Sequence, residues 1–337
     1  MAAGVPALAP DLRPTARQWL ERNLFDGVWN TVLTLALAVV LGAFFAAGTR
    51  WVLRAHWAVI VANLRFWLIG FLPAEVAWRA YWAGGLVAMM AILTAVGQRA
   101  RVRPGPLVGA WGGVLAGAVW LLVPLRLDHL GGLYLTLVLA TVGIAGSFPI
   151  GVLVGMGRVS RLPVIRALST LYIEVIRGIP FITVLLWFSV FVTLVSGDAL
   201  NKVQRAMIGI IIFASAYVGE IVRAGIQSVP RGQREAARAV GLSPWQTMRL
   251  VVLPQAVKNM IPALVGQFIS LFKDTSLTVI IGLTELVGTG RALLAITQYL
   301  HDVREVYVFL LVLYFVFSFA LSSASRRLER RLGVGER

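Results

Sequence analysis

The chain has 337 residues, of which 58% are hydrophobic and 14% charged, with a net charge of +16 and no cysteine. A soluble domain carries roughly 45–50% apolar and about 25% charged residues, so this composition excludes a purely soluble core and points to segments that cross a bilayer. The lack of Cys removes disulfides, thiolate chemistry and Cys-metal sites, and the basic surplus lies in short loops between apolar runs, not in an aromatic-interleaved nucleic-acid patch.

Residues 1–28 are polar, contain Pro, Asp and Arg, and lack the apolar core of a secretory signal. They are expected to form a cytoplasmic N-terminal segment ahead of an uncleaved first span. A span needs about 20 apolar residues. On that basis the sequence predicts an all-α membrane protein of about eight transmembrane helices, at 29–48, 82–97, 107–125, 133–157, 168–195, 206–222, 261–283 and 306–325. The implied domains are 1–28, then 29–127 with three leading spans, then 128–326 with five core helices, then a cytoplasmic tail at 327–337.

Charge bias tests the order. With both termini in the cytoplasm, Arg13, Arg17, Arg22, Arg99, Arg101, Arg103, Arg158, Arg161, Arg166, a loop from Arg223 to Lys258 and a tail from Arg326 to Arg337 fall inside. The outer side holds Arg50, Arg54, Arg65, Arg79, Arg126, Lys202, Arg205, Arg291 and Arg304. The inner excess, about two to one, agrees with the positive-inside rule. The outer stretch 49–81 is the weak point. Its apolar run 58–72 is too short to span and has Arg65 near its middle, so it is expected to lie at the interface or re-enter. Were it to span, the count would be nine and the N-terminus would lie outside.

Gly109, Gly113 and Gly117 recur every four residues, as do Gly151 and Gly155. That spacing lets helices approach closely in lipid, although glycine is also simply common in spans. The chain shows no internal repeat, so a single bundle of this size is expected to need a partner to enclose a path. His56, His129 and His301 are far apart and show no metal-ligand spacing.

The inner loop 223–258 is the most informative stretch. Arg231–Val240 contains good helix formers, with Ala236, Ala237 and Ala239 offering a small packing face. Gly241 is placed to end that helix in the left-handed conformation. Ser243 and Pro244 restart a helix as N-cap and first position, and Pro254 is expected to limit or kink the helix beyond it. The product is a helix–turn–helix elbow suited to docking in another protein, or a connector lying on the membrane surface.

Glu235, Ala236, Ala237, Gly241, Val251, Leu253 and Pro254 stand at the spacing of the EAA loop of ATP-binding-cassette importer permeases, with Val251 in place of the usual Ile. Residues 170–185 (TLYIEVIRGIPFITVL), 215–233 (SAYVGEIVRAGIQSVPRGQ) and 268–283 (FISLFKDTSLTVIIGL) are similar to the polar amino-acid (HisM-like) branch of that family, and the leading spans resemble its longer members for general L-amino acids. The resemblance covers about 130–333. It implies a type I importer permease core in the last five helices, in a bacterial inner membrane. It further implies two ATPase subunits docked on the elbows, a second permease subunit, homologous or identical, and an extracytoplasmic amino-acid-binding protein. It gives the chain no bond chemistry of its own.

The sequence has no phosphate-binding G-x-x-x-x-G-K-[ST] loop and only three lysines, Lys202, Lys258 and Lys273. ATP and magnesium are therefore expected on the partner ATPase, with no cofactor bound by this chain.

Ionisable groups inside spans cost about 2.5–3.5 kcal/mol each and so face cavities or pair. Glu174 and Arg177 share a helix face, as do Glu220 and Arg223. Lys273 and Asp274 precede Thr275 and Ser276. A zwitterionic amino acid needs an acceptor and a donor, so Lys273, Asp274, Thr275 and Ser276 are candidates for the substrate path, with Glu174 and Arg177 nearby. Structural intrahelical pairing is the alternative for Glu174–Arg177 and Glu220–Arg223. Gly178-Ile179-Pro180 is expected to break the fifth span. The rival functions are an ion-coupled secondary carrier, which has no need of the elbow, and a non-transporting scaffold, against which the intramembrane Lys273–Asp274 pair argues.

Overall fold

The computed structural model describes residues 15–99, 104–123, 125, 127–331 and 333. Arg13, Arg101, Arg103, Arg126 and Arg337, which enter the charge bias, lie outside them. The chain divides into two compact units, Met1–His56 and Trp57–Arg337.

In the first unit, α1 (Ala16–Asn23) opens on a capping box between Thr15 and Gln18. α2 (Val28–Arg54) follows, an apolar helix with no buried residue. At 27 residues it is about 40 Å long, enough to cross a bilayer.

The second unit begins with two short helices, α3 (Ala58–Val61) and α4 (Leu64–Ile69), neither long enough to span. The run 58–72 is thus folded back on itself. Arg65 donates to the Leu72 carbonyl at 2.8 Å, which ties the end of the run to its middle. α5 (Ala74–Arg99) and α6 (Pro104–Leu122) pack together through Ala83, Ala118 and Leu121. The remaining elements are α7 (Gly132–Arg158), α8 (Pro163–Gly178), α9 (Phe181–Ser196), α10 (Lys202–Gln227), α11 (Arg231–Ala239), α12 (Pro244–Gln246), α13 (Leu253–Asp274), α14 (Leu286–Leu294) and α15 (Val303–Arg331).

Among the described residues six helices are long and apolar enough to span. The α8–α9 pair, bent by 101°, makes a seventh. Gly109–Leu122 is a shorter apolar helix. They follow the order of the expected spans, and seven of the eight reach spanning length among the described residues. The bend falls where Gly178 ends α8, Ile179 is extended and Pro180 caps the start of α9, as the sequence predicts.

α7 and α10 run parallel in contact. A Cβ on Gly151 would lie 2.5 Å from Val218 Cβ, and one on Gly155 2.5 Å from the Gly219 carbonyl. Those two glycines do set a close helix approach. Gly109, Gly113 and Gly117 meet nothing within 4 Å among the described residues, so their repeat marks no contact within this chain. α13 runs antiparallel to α10, with Met260 against Gly225 and Leu271 near Gly143 and Ile210. One end of this bundle therefore collects Arg158, Gln227 and Leu253, next to the elbow. The far end collects Gly132, Lys202, Asp274 and Val303.

Candidate functional site

The elbow forms as its residues dictate. α11 ends in a Schellman motif: the Leu242 N–H donates to the Ala237 carbonyl at 3.1 Å and the Gly241 N–H to the Arg238 carbonyl at 2.9 Å. Gly241 sits at φ 83°, in the left-handed region. Ser243 then caps α12, accepting from the Gln246 N–H at 3.3 Å while Gln246 accepts from the Ser243 N–H at 2.9 Å, with Pro244 in the first turn.

Thr247–Val252 widens into π-helical turns before α13 begins at Leu253. Pro254 offers no N–H to the Leu250 carbonyl and its ring crowds that oxygen, so the distortion falls ahead of Pro254 rather than after it. Pro254 sits in the first turn of α13, which continues for 22 residues.

Three bonds brace the elbow. Arg234 donates to the Ile226 carbonyl at 2.6 Å, Gln255 to Gln233 at 3.4 Å and Asn259 to Ser228 at 2.9 Å. Ala237 is buried against this frame. Glu235, Ala236 and Ala239 are not buried, so the packing face expected of three alanines narrows to one. Val240, Trp245 and Leu250 are 76%, 67% and 60% exposed at the tip. These three apolar side chains are left uncovered within this chain.

Above the elbow lies a charge cluster. Arg158 on α7 reaches Glu220 on α10 at 2.7 Å and also contacts Glu174 on α8. Arg223 forks onto Glu220 at 2.6 and 2.9 Å, and Arg177 stands 3.8 Å from it and over the Tyr217 ring. Glu220–Arg223 is an intrahelical pair as expected. Glu174–Arg177 is not: each side chain bonds across helices instead, because α8 ends against α7 and α10. Arg158, read from sequence only as a loop charge, is the hub. Its position at the last turn of a span was the available signal.

Lys273, Asp274, Thr275 and Ser276 end α13 and begin the 3₁₀ turns Thr275–Ile281. Lys273 is exposed, Asp274 and Ser276 are half-buried, and Thr275 is buried with its hydroxyl on the Phe272 carbonyl at 2.7 Å. Leu271 packs level with Ile210, ten residues before Glu220 on α10, about 15 Å along the helix. The two groups of candidates are therefore not brought together within this chain.

Beside Thr275 is a buried polar cap that sequence reasoning missed. The Glu285 carboxylate, fully buried, accepts from the N–H groups of Val287 at 2.7 Å and Gly288 at 3.0 Å at the start of α14. Tyr314 lies 3.5 Å away. Burial pushes the Glu285 carboxyl up to about 7, against the lowering effect of the two N–H groups. A lone Glu just after a left-handed Gly282 and just before an apolar run was its sequence signal. Among the described residues no cluster of His, Cys, Asp or Glu could hold a metal.

Residues 147–334 match the family model described as binding-protein-dependent transport system inner membrane component. The chain is 35% identical, over 95% of its length and 94% of the relative's, to the inner membrane amino-acid ABC transporter permease protein YhdY of Escherichia coli (strain K12). It is 30% identical, over 97% and 96%, to the glutamate/glutamine/aspartate/asparagine transport system permease protein BztC of Rhodobacter capsulatus. Its 34% identity to the glutamine transport system permease protein GlnP of Escherichia coli (strain K12) spans 64% of this chain and 97% of that one. A crystal structure of an amino acid ABC transporter with histidines aligns with TM-score 0.56 and 32% identity, over 59% of this chain and 92% of that one. The chain belongs to the family of binding-protein-dependent transport system inner membrane components, the permease subunits of ABC importers, and is a transport component rather than an enzyme.

Proposed function

We propose that this chain carries amino acids across a bacterial inner membrane as one permease of a pair, driven by two ATPase subunits seated on the elbows. An extracytoplasmic binding protein delivers the substrate at the far end. The braced elbow with Val240, Trp245 and Leu250 at its tip is the observation that carries this function. An ion-driven secondary carrier has no use for such a surface. The relatives' amino-acid substrates support the substrate class, and the elbow end is then cytoplasmic.

Closure of the ATPases on ATP draws the elbows together. The bracing bonds pass that movement to α10 and α13, whose packing cannot deform continuously and so tilts as a unit. Lys273, Asp274, Thr275 and Ser276 line the substrate path in this scheme, with a cation and a carboxylate for the two ends of a zwitterion. Glu174 and Arg177 hold the elbow end of the bundle.

Purification of the tagged chain from native membranes tests the proposal, beside Gly241→Asp. An ATPase chain that accompanies the wild type and is lost from the variant supports it. A wild type that comes down alone overturns it.

A further inference from the structure

The segment 57–73 lies outside the stretch matched by the family model, yet its packing is that of a core element. Trp67 is 2% exposed and its ring meets Phe309 of α15 at 4.8 Å between centroids, edge to face. A Cβ on Gly290 of α14 would come within 3.1 Å of the Trp67 ring. Val59, Ile60, Leu286, Leu293, Val306 and Leu310 close around it.

The backbone joins the same elements. The Gly131 N–H donates to the Ile69 carbonyl at 3.2 Å. The next N–H, that of Gly132, donates to the Thr284 carbonyl at 2.8 Å and the Thr289 hydroxyl at 3.1 Å. Gly132 has φ 57°, and a side chain there would overlap the Trp67 carbonyl. The start of α7 is thus sandwiched between the segment on one side and the start of α14 on the other.

We propose that residues 57–73 form a positioning strap for the outer gate: the Trp67 wedge and the Gly131–Gly132 junction hold α14 against α7 and α15, so the strap sets how readily those outer ends part during transport. This rests on the permease function above. In this scheme the outer ends separate during transport, and contacts that hold them together bias the molecule against the open state. Trp67 touches no substrate in this scheme; it acts through α14 and α15.

The test compares Trp67→Ala, Trp67→Phe and Phe309→Leu in the full chain, assembled with its ATPase in native membranes. A loosened gate opens without substrate. Trp67→Ala is expected to raise substrate-independent ATP hydrolysis by about fivefold and to lower uptake per ATP hydrolysed. Trp67→Phe, which keeps a ring against Phe309, stays close to the wild-type ratio. A wedge that serves only folding would reduce complex yield, with uptake and hydrolysis falling in parallel and their ratio unchanged; that outcome overturns the proposal. If Trp67→Ala yields no complex, Phe309→Leu, which leaves the strap whole and removes only its ring partner, must change the same ratio, and an unchanged ratio overturns the proposal too. Absence of any ATPase with the wild-type chain would instead overturn the permease function itself, a result distinct from either.

Discussion

Arg158 Nη1 lies 2.7 Å from Glu220 Oε2, so one guanidinium ties the end of α7 to the end of α10 and reaches Glu174 on α8 as well. Glu220 receives three arginines in all, Arg158, Arg177 and Arg223. Its side chain is 20% exposed, against 58% for Glu174. Water screens the exposed partner and leaves the shielded one to its ion pairs.

Glu220→Gln is therefore expected to destabilise the bundle by about 1–3 kcal/mol, the usual cost of stripping a partner from shielded polar groups. Glu174→Gln should cost about 0–1 kcal/mol, as exposed pairs do. Thermal denaturation of the solubilised complex checks the difference. Equal losses from the two variants would show that the cluster does not centre on Glu220.

The glycines divide by what stands opposite them. Gly155→Ala drives a methyl into the Gly219 carbonyl of α10, backbone that cannot swing aside. The expected cost is about 1–3 kcal/mol of overpacking. Gly113→Ala meets open space and should be neutral within this chain. The yield of monodisperse protein after detergent extraction separates them, and loss from Gly113→Ala would point to a neighbour beyond this chain.

Legibility in the sequence tracks the range of the interactions. Apolar length gave the spans, and the Gly241-to-Pro244 chemistry gave the elbow, because caps and turns act within a few residues. The Gly178-Ile179-Pro180 break is local in the same way. The partners of Arg158, Glu174 and Arg177 depend on how α7, α8 and α10 meet, 16 to 62 residues apart in the chain, and spacing along one helix misassigned them. Glu285 was missed for a related reason. Its burial comes from α7 and α15, whereas its cap is formed within three residues. The glycine repeats show that one pattern serves contact at Gly151 and Gly155 and none at Gly109, Gly113 and Gly117.

Glu285 lies between the spans α13 and α15, and its carboxyl rises from 4.5 to about 7 because burial outweighs the Val287 and Gly288 N–H groups. The folded state holds the proton more tightly than the unfolded chain. Its contribution to stability is fully present below pH 4.5 and is lost as pH rises through about 7. Glu285→Gln keeps an oxygen for the cap and cannot ionise. It is expected to flatten the pH dependence of the melting temperature between about 4.5 and 7, chiefly by holding stability at the upper end. An unchanged slope would mean that the buried carboxyl is not the group titrating there.

The turn of the elbow offers the most direct test of its geometry. Gly241 stands at φ 83° with nothing within 4 Å of where a Cβ would be, so replacement costs backbone strain alone. Gly241→Ala should lose about 1–2 kcal/mol, the penalty of a side chain in the left-handed conformation. The strain relaxes by opening the Schellman turn, which moves Trp245 relative to Ala237. Gly232, inside α11, also has open space around it but a helical backbone. Gly232→Ala should gain up to about 1 kcal/mol of helix propensity. The two substitutions add the same methyl to the same exposed elbow with opposite expected signs. Retention of the ATPase on the purified chain, read beside the melting temperature, should fall for Gly241→Ala and hold for Gly232→Ala. If Gly241→Ala keeps its ATPase in full, the left-handed turn is not what aims the elbow, and docking must rest on side chains whose placement does not depend on that turn.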